Sequence, residues 1–196
     1  MNTPEIFVLS GPNGAGKSTT ATVLVPESLG IQQFVNADLI AQGLSPFAPA
    51  SSAIEAGRLM LKRIRDLRTQ GISFAFETTL ASRYYLRFLP EAQEAGYYVH
   101  LIYIWLSSVE LALSRVAIRV RQGGHDVPAD IVERRYWRGL RNFFDIYRPL
   151  ADTWTLCDNT GDELVIVARG GKGAPETVLE RERYATIRRK VTDAPA

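Results

Sequence analysis

The sequence contains a single cysteine, Cys157, and only two histidines among its 196 residues. One cysteine excludes an internal disulfide and any zinc site built from several cysteines. The longest apolar run, Leu101 to Leu106, is far shorter than the roughly 20 residues that a transmembrane helix needs. The first residues also lack the basic segment that begins a secretory signal. We therefore expect a cytoplasmic protein that does not associate with membranes.

Net charge is also low, because 23 lysines and arginines are opposed by 21 acidic residues, giving +2. That excess is too small to indicate a nucleic-acid-binding protein. Hydrophobic residues make up 46% and charged residues 22%, both near globular averages. We expect a single domain over residues 1–196 that folds without disulfides or structural metal. Arginine (19) greatly outnumbers lysine (4), which favours phosphate recognition but also results from GC-rich genomes.

Short apolar segments alternate with amphipathic ones along the chain. We expect strands at Ile6–Ser10, Gln33–Asn36, Ile72–Phe76, Tyr97–Leu106, Thr153–Cys157 and Leu164–Ala168. The segment after the first strand is expected to be a helix that ends at Pro26, and the charged tail from Pro175 is expected to be helical. Strand–helix alternation predicts an α/β fold, a three-layer αβα sandwich with a mostly parallel central sheet.

The segment Gly11–Ser18 matches G-x-x-x-x-G-K-[ST], the phosphate-binding loop of nucleotide-binding proteins, and lies between a predicted strand and a predicted helix. Glycines let backbone N–H groups surround phosphate oxygens. Lys17 is expected to reach the β- and γ-phosphates and Ser18 to hold Mg²⁺. The predicted nucleotide-binding residues are Gly11, Pro12, Asn13, Gly14, Ala15, Gly16, Lys17, Ser18 and Thr19. The alternative is an ordinary glycine turn with a surface lysine, but such a turn needs neither a strand before it nor a helix after it. The motif in this context therefore predicts a P-loop NTPase fold.

Two acidic residues, Asp38 and Glu77, follow the ends of predicted strands. The carboxyl ends of parallel strands line the ligand crevice of an open sheet, so both carboxylates are expected near the γ-phosphate. A kinase needs a carboxylate to accept the proton of the acceptor hydroxyl, and carboxylates also surround Mg²⁺. Taken singly, Asp38 also fits a helix N-cap and Glu77 a solvated loop residue.

The remaining signals distinguish classes of P-loop protein. A GTPase would carry an N-K-x-D motif, which is absent, and an AAA or ABC engine needs more chain and further motifs. A small kinase with an arginine-rich helical lid at about 115–148 fits better, since eight arginines but four acidic residues fall there. Arg119, Arg121 and Arg134 are the first candidates for contact with phosphate or substrate. The others are expected to lie on solvated helix faces.

Four segments together resemble the zeta-toxin family of P-loop kinases, in its compact chromosomal form. They are Gly11–Ser18, Phe34–Pro46, Phe76–Leu80, and Arg119–Pro128 with Arg134–Tyr136, in family order. The resemblance implies a phosphotransferase that uses ATP or GTP with Mg²⁺. It also implies a small-molecule hydroxyl as acceptor, with UDP-N-acetylglucosamine as the best-known example, and an antitoxin protein as partner.

By the same resemblance, Asp38 is the catalytic base, Lys17 and Ser18 hold phosphate and Mg²⁺, and Glu77 and Thr78 contact the acceptor. Arg119, Arg121 and Arg134 match the family's lid arginines. The sequence is also compatible with three other functions: a nucleotide-dependent binding switch, a kinase for another metabolite, and a nucleic-acid kinase.

Overall fold

A computed structural model describes residues 3–124 and 126–194, so His125 of the predicted lid region at about 115–148 lies outside the described residues. The strands are β1 (Glu5–Ser10), β2 (Phe34–Val35), β3 (Phe74–Thr78), β4 (Tyr98–Trp105), β5 (Thr153–Asp158), β6 (Val165–Gly171) and β7 (Ala174–Val178). The α-helices are α1 (Lys17–Val23), α2 (Ala37–Leu44), α3 (Ala53–Thr69), α4 (Tyr85–Glu94), α5 (Val109–Arg121), α6 (Ala129–Asn142), α7 (Arg148–Leu150) and α8 (Arg181–Thr192). Within this described part, no helix has both the length and the apolar character needed to cross a bilayer.

All seven strands form one sheet in the order β2-β3-β1-β4-β5-β6-β7. The first five strands in that order run parallel, whereas β6 and β7 run antiparallel to their neighbours. The predicted mostly parallel α/β sandwich is therefore confirmed. At the carboxyl edge, Ser10 of β1 is in register with Thr78 of β3 and with Tyr103 of β4. This edge brings the loops after β1, β2 and β3 together, and they form the site described below.

Strand residues alternate between two apolar layers, because successive side chains of a strand point to opposite faces. In β1, Ile6 and Val8 join the core shared with α3, α4 and α8, whereas Phe7 and Leu9 pack with α1. A further cluster joins Ile104 and Leu106 to α5 and α6. Helices thus cover both faces, as a buried parallel sheet requires.

Two expectations about elements were wrong. The tail from Pro175 begins as strand β7, which pairs with β6 through Ala168↔Val178, and helix α8 starts only at Arg181. A proline in an exposed, charged edge strand is compatible with the sheet because it need not donate to a neighbour. The helix after the phosphate loop also continues through Pro26 as a π-helical turn, Leu24–Ser28, in which the N–H of Leu29 bonds to the carbonyl of Leu24. The wider turn accommodates a residue that lacks an N–H.

Candidate active site

The phosphate loop wraps tightly between β1 and α1. Gly16 adopts a left-handed φ of +82°, and a Cβ on Gly11, whose φ is +140°, would come within 2.1 Å of the carbonyl oxygen of Ile104. Glycine is required at both positions because other residues would clash or be strained. The loop is closed by the N–H of Ala15, which donates to the carbonyl of Pro12 at 3.2 Å.

Lys17 lies folded into this loop and is only 6% exposed. Its Nζ donates to the Pro12 carbonyl at 2.9 Å and pairs with Glu77 Oε1 at 3.5 Å. Burial lowers the pKa of Lys17, while the nearby carboxylates of Glu77 and Asp38 act in the opposite direction. The Lys17 ammonium is therefore held in a desolvated position, where it attracts a negatively charged group strongly. A site that binds a triphosphate needs such a positive charge.

Glu77, at the end of β3, is the centre of a polar network. Its Oε2 accepts hydrogen bonds from Ser18 Oγ at 2.7 Å and from Asn36 Nδ2 at 2.6 Å, in addition to the Lys17 ion pair. Asn36 Nδ2 also lies 3.4 Å from Ser18 Oγ. Side chains at or after the ends of β1, β2 and β3 thus form one hydrogen-bonded cluster. Sequence reasoning missed Asn36, although asparagine at a strand end before a helical segment is a recognisable N-cap signal.

The hydroxyl of Ser18 and the carboxylate of Glu77 are hard oxygen donors that lie side by side, which fits Mg²⁺. Among the described residues no group of three His, Cys, Asp or Glu side chains gathers to hold a metal. A nucleotide-bound Mg²⁺ does not need such a group, because the ion takes one or two protein oxygens and completes its shell with phosphates and water. Ser18 and Glu77 are accordingly the residues that fit this ion.

Asp38 lies in the first turn of α2 and is not its N-cap. Asn36 is the cap, because its Oδ1 accepts from the N–H groups of Asp38 at 2.7 Å and of Leu39 at 3.3 Å. The Asp38 carboxylate is 47% exposed, and its Oδ2 lies 3.6 Å from Arg119 NH1 of α5. It points into a pocket of about 170 Å³ that Lys17 also lines. Its accessible position beside the phosphate loop suits a group that meets an incoming substrate.

Arg135, from α6, lines the same pocket. Burial lowers its pKa, and the carboxylate of Asp38 opposes that effect. Arg119 and Arg135 therefore provide two guanidinium groups near Asp38, from helices α5 and α6, which both contribute to the predicted lid region at about 115–148. Sequence reasoning preferred Arg134 to Arg135, and only the docking of α6 determines which of two adjacent arginines faces the site.

Thr78, predicted to contact the acceptor, also lines this pocket, as does Tyr85. Burial raises the pKa of Tyr85 to about 12, which keeps its phenol neutral. The backbone after β3 is held by helix α6, since a Cβ on Gly139 would come within 2.3 Å of the Thr79 carbonyl oxygen. The close approach of α6 fixes the segment that forms this wall.

Two predicted lid residues lie outside the cluster. Arg121 is exposed at the end of α5, and Arg134 lines a separate cleft of about 810 Å³. The cleft lies between the segment after Leu80 and helix α6. Its lining residues include Ser82, Arg83, Arg134, Trp137, Arg138 and Arg141. The acidic residues Asp130 and Glu133 lie there too, so the cleft has an excess of positive charge.

Next to the phosphate loop, a cavity of about 540 Å³ is lined by α1 and by the turn after β5. Its lining includes Gly16, Thr19, Thr20, Arg115, Asn159 and Asp162. Asn159 Nδ2 donates to the carbonyl of Ala15 at 2.9 Å, and Arg115 donates to the carbonyl of Asn159 at 2.8 Å. Asn159, on the wall of the cavity, is therefore hydrogen-bonded directly to the phosphate loop, and Arg115 holds Asn159 in place. Neither Arg115 nor Asn159 was among the residues predicted from the sequence.

Comparison with known proteins agrees with the fold described above. A family profile described as an AAA domain matches residues 6–144. The chain belongs to this family. An uncharacterized protein of Haemophilus influenzae (strain Rd) is 36% identical to it over 136 residues, which is 69% of this chain and 94% of that protein. The matched residues include the phosphate loop, Asp38 and Glu77.

Solved structures show the same fold. One chain of the AvrRxo1-ORF1:AvrRxo1-ORF2 complex with sulphate ions has a TM-score of 0.76 at 23% identity, covering 94% of this chain and 63% of that chain. This AAA-domain protein thus spans less than two thirds of the AvrRxo1 chain. The PezAT chromosomal toxin–antitoxin system of Streptococcus pneumoniae gives 0.65 at 14% identity, covering 99% and 88%. The resemblance to zeta-toxin-like P-loop kinases is confirmed at the level of the fold.

Proposed function

We propose that this protein is a P-loop kinase that transfers the γ-phosphate of ATP or GTP to a hydroxyl group of a small molecule. The observation that carries the proposal is the convergence of Lys17, Ser18, Glu77 and Asp38 at the carboxyl edge of the sheet. A phosphate-binding lysine and an accessible carboxylate within one pocket are what phosphoryl transfer needs. A similar fold solved as the AvrRxo1-ORF1:-ORF2 complex with ATP, at a TM-score of 0.75, supports nucleotide binding.

In this mechanism the phosphate loop holds the triphosphate, and Lys17 neutralises the β- and γ-phosphates. Bound Mg²⁺, held by Ser18 and Glu77, would supply charge neutralisation on the phosphate oxygens. Asp38 accepts the proton of the acceptor hydroxyl as its oxygen bonds to the γ-phosphorus. The bond from that phosphorus to the β–γ bridging oxygen breaks, and the nucleoside diphosphate leaves. Arg119 and Arg135 stabilise the charge that spreads over the transferring group.

The exposed Arg121 fits this chemistry less well than Arg135, which lines the Asp38 pocket. We propose that Arg121 and Arg134 contact the phosphates only when the predicted lid at 115–148 closes, because closure brings new side chains over the phosphates. The lid and the single-domain organisation of residues 1–196 are parts of the same proposal.

For the acceptor, we propose a phosphate-bearing metabolite, with UDP-N-acetylglucosamine as the first candidate. The cleft lined by Arg83, Arg134 and Arg138 supports this, because its lining begins at Ala81, two residues after Thr79 of the Asp38 pocket, and has an excess of guanidinium groups. Guanidinium groups bind phosphate through paired hydrogen bonds. Trp137 adds an aromatic surface that a base or sugar ring can contact.

The direct experiment incubates the protein with a metabolite extract and isotopically labelled ATP and identifies labelled products by mass spectrometry. Asp38→Asn provides the blank, and Asp145→Asn, the same change at an exposed aspartate, provides the matched control. A labelled metabolite that appears with wild type and Asp145→Asn but not with Asp38→Asn supports the proposal. Slow hydrolysis without any labelled acceptor would instead favour a nucleotide-dependent switch.

A second experiment tests the acceptor cleft. Arg138→Gln is expected to raise the acceptor KM by about tenfold, since a charged hydrogen bond is worth about 1.5–3 kcal/mol. Arg87→Gln, at an arginine whose side chain is 91% exposed, is the matched control. An acceptor KM unchanged by Arg138→Gln, or absence of product with purified UDP-N-acetylglucosamine, would contradict the corresponding part of the proposal.

An antitoxin-type protein partner belongs to the same proposal. It is supported by similar folds solved as the AvrRxo1-ORF1:AvrRxo1-ORF2 complex and within the PezAT toxin–antitoxin system. Expression of the wild type in a bacterial host, compared with Asp38→Asn, tests it. Growth arrest that requires Asp38 and is relieved by a co-expressed neighbouring gene supports the toxin role, and unaffected growth at equal expression contradicts it.

A further inference from the structure

The end of β5 carries a buried carboxylate that the mechanism above does not use. Asp158 is 4% exposed, and its Oδ1 accepts from both the N–H and the hydroxyl of Thr160, at 2.9 and 2.5 Å. Its Oδ2 accepts from Arg183 NH1 of α8 at 2.8 Å. A buried carboxylate needs a charged partner to offset its desolvation, and Arg183 supplies one from the C-terminal helix.

The turn that Asp158 begins is fastened to the phosphate loop from several sides. Asn159 donates through Nδ2 to the carbonyl of Ala15, at 2.9 Å. Arg115 of α5 donates to the carbonyls of Asn159 and Thr160, at 2.8 and 3.2 Å. The hydroxyl of Thr160 accepts from the N–H of Ser107 at 3.0 Å. The turn is therefore a rigid bridge between β5, α5 and the phosphate loop.

The same turn forms one wall of the 540 Å³ cavity beside the phosphate loop. Asn159, Gly161 and Asp162 line it from this side, and Gly16 and Thr19 line it from the loop side. A triphosphate held in the loop directs its nucleoside out of the loop, and this cavity is continuous with the loop through Gly16. It offers polar and apolar surface of the kind that a purine base contacts.

We propose that Arg183 is a positioning residue for nucleotide binding: through its ion pair with Asp158 it holds the 158–160 turn in place as the wall of the base pocket. The C-terminal helix, which lies beyond the residues 6–144 matched by the family profile, thereby controls affinity for the nucleoside part of the nucleotide. This inference rests on the proposed nucleotide site but not on the acceptor or on phosphoryl transfer.

The test compares the binding of ATP with that of inorganic triphosphate, which lacks a base, by isothermal titration calorimetry on the full chain. Arg183→Gln is expected to raise the Kd for ATP by about tenfold, the effect of losing one charged hydrogen bond, and to change that for triphosphate by less than about twofold. Arg183→Lys, which restores the charge, is expected to recover part of the lost affinity.

Glu176→Gln is the matched control, because it breaks another ion pair of the C-terminal segment, with Arg148 at 2.6 Å, which does not involve the 158–160 turn. We expect it to leave the ATP Kd unchanged. Asn159→Ala is a second variant, expected to weaken ATP as Arg183→Gln does and to add little when combined with it.

Equal ATP binding by wild type and a folded Arg183→Gln variant overturns the inference. Equal weakening of ATP and triphosphate also overturns it, because the ion pair would then act on the phosphate loop and not on the base pocket. So does an equal effect of Glu176→Gln, which would indicate general destabilisation. If the wild type binds neither ligand, the proposed function itself fails, and this inference fails with it.

Discussion

Replacing Glu77 with glutamine removes one negative charge from the centre of the site while keeping the size of the side chain. Lys17 is 6% exposed and Glu77 12%, so the ion pair between them, at 3.5 Å, is largely desolvated. The variant leaves the ammonium of Lys17 with its hydrogen bond to the Pro12 carbonyl but without the negative charge closest to it. The stability of the folded protein is expected to fall.

The size of the effect follows from burial. Removing one partner of a buried ion pair costs about 3–5 kcal/mol. Because the lysine keeps one hydrogen bond and the amide of glutamine can still accept from Ser18, we expect about 2–3 kcal/mol here. In a protein of this size each kcal/mol lowers the unfolding midpoint by about 2–4 °C, so a decrease of about 4–12 °C is expected.

Thermal unfolding followed by circular dichroism measures this decrease. Glu91→Gln is the matched control, since Glu91 pairs with Arg68 at a shorter 2.9 Å but is exposed, and little change is expected. Saturating ATP without divalent metal should narrow the gap between wild type and Glu77→Gln, because the triphosphate gives Lys17 a new negative partner. A midpoint within about 1 °C of the wild type would refute the argument from burial.

Two further predictions concern Lys17 and Gly139. Burial lowers the pKa of Lys17 below its ordinary value of 10.5 and bound phosphates raise it again, so ATP binding at alkaline pH should take up a proton and weaken as pH rises. Calorimetry in buffers of different ionisation enthalpy, repeated at increasing alkaline pH, detects this uptake, and Lys17→Met should abolish it; enthalpies that do not depend on the buffer at any of these pH values would contradict it. Gly139→Ala should destabilise the protein by about 1–3 kcal/mol in urea unfolding, because the new methyl group meets the Thr79 carbonyl; an unchanged midpoint would show that α6 can shift freely.

The features that the sequence predicts well are those fixed by local spacing or by the rules of parallel sheets. The phosphate loop is a contiguous motif, and the positive φ angles of its glycines follow from the tight turn that this motif makes. The meeting of Asp38 and Glu77 follows from the rule that parallel strands end at one edge, although the two residues are 39 positions apart in the chain. Their chemical roles stay predictions until they are measured.

Other features depend on tertiary packing that no local pattern contains. Arg134 and Arg135 are adjacent, and only the docking of α6, permitted by Gly139, turns Arg135 toward Asp38 and Arg134 toward the larger cleft. Asn159 is 144 residues from Ala15 in the chain, so its contact with the phosphate loop has no signal in sequence spacing.

The structure of the C-terminal segment also depends on tertiary packing that the sequence pattern does not contain. Its charged residues and Pro175 favoured a helical tail, whereas pairing with β6 made residues Ala174–Val178 a strand. An edge strand exposed to solvent needs little apolar character, so composition does not distinguish it from a solvated helix. A helix was predicted in the region of α8, but the contact of that helix with Asp158 was not.

The proposed function depends most directly on Asp38 as the base of the phosphoryl transfer. The most direct measurement is single-turnover transfer of labelled γ-phosphate to the identified acceptor, made in parallel with ATP binding, for wild type and Asp38→Asn. If Asp38 is the base, Asp38→Asn should reduce the transfer rate by about 10² or more and leave the ATP Kd within about twofold of the wild type. A rate that survives the substitution would contradict it.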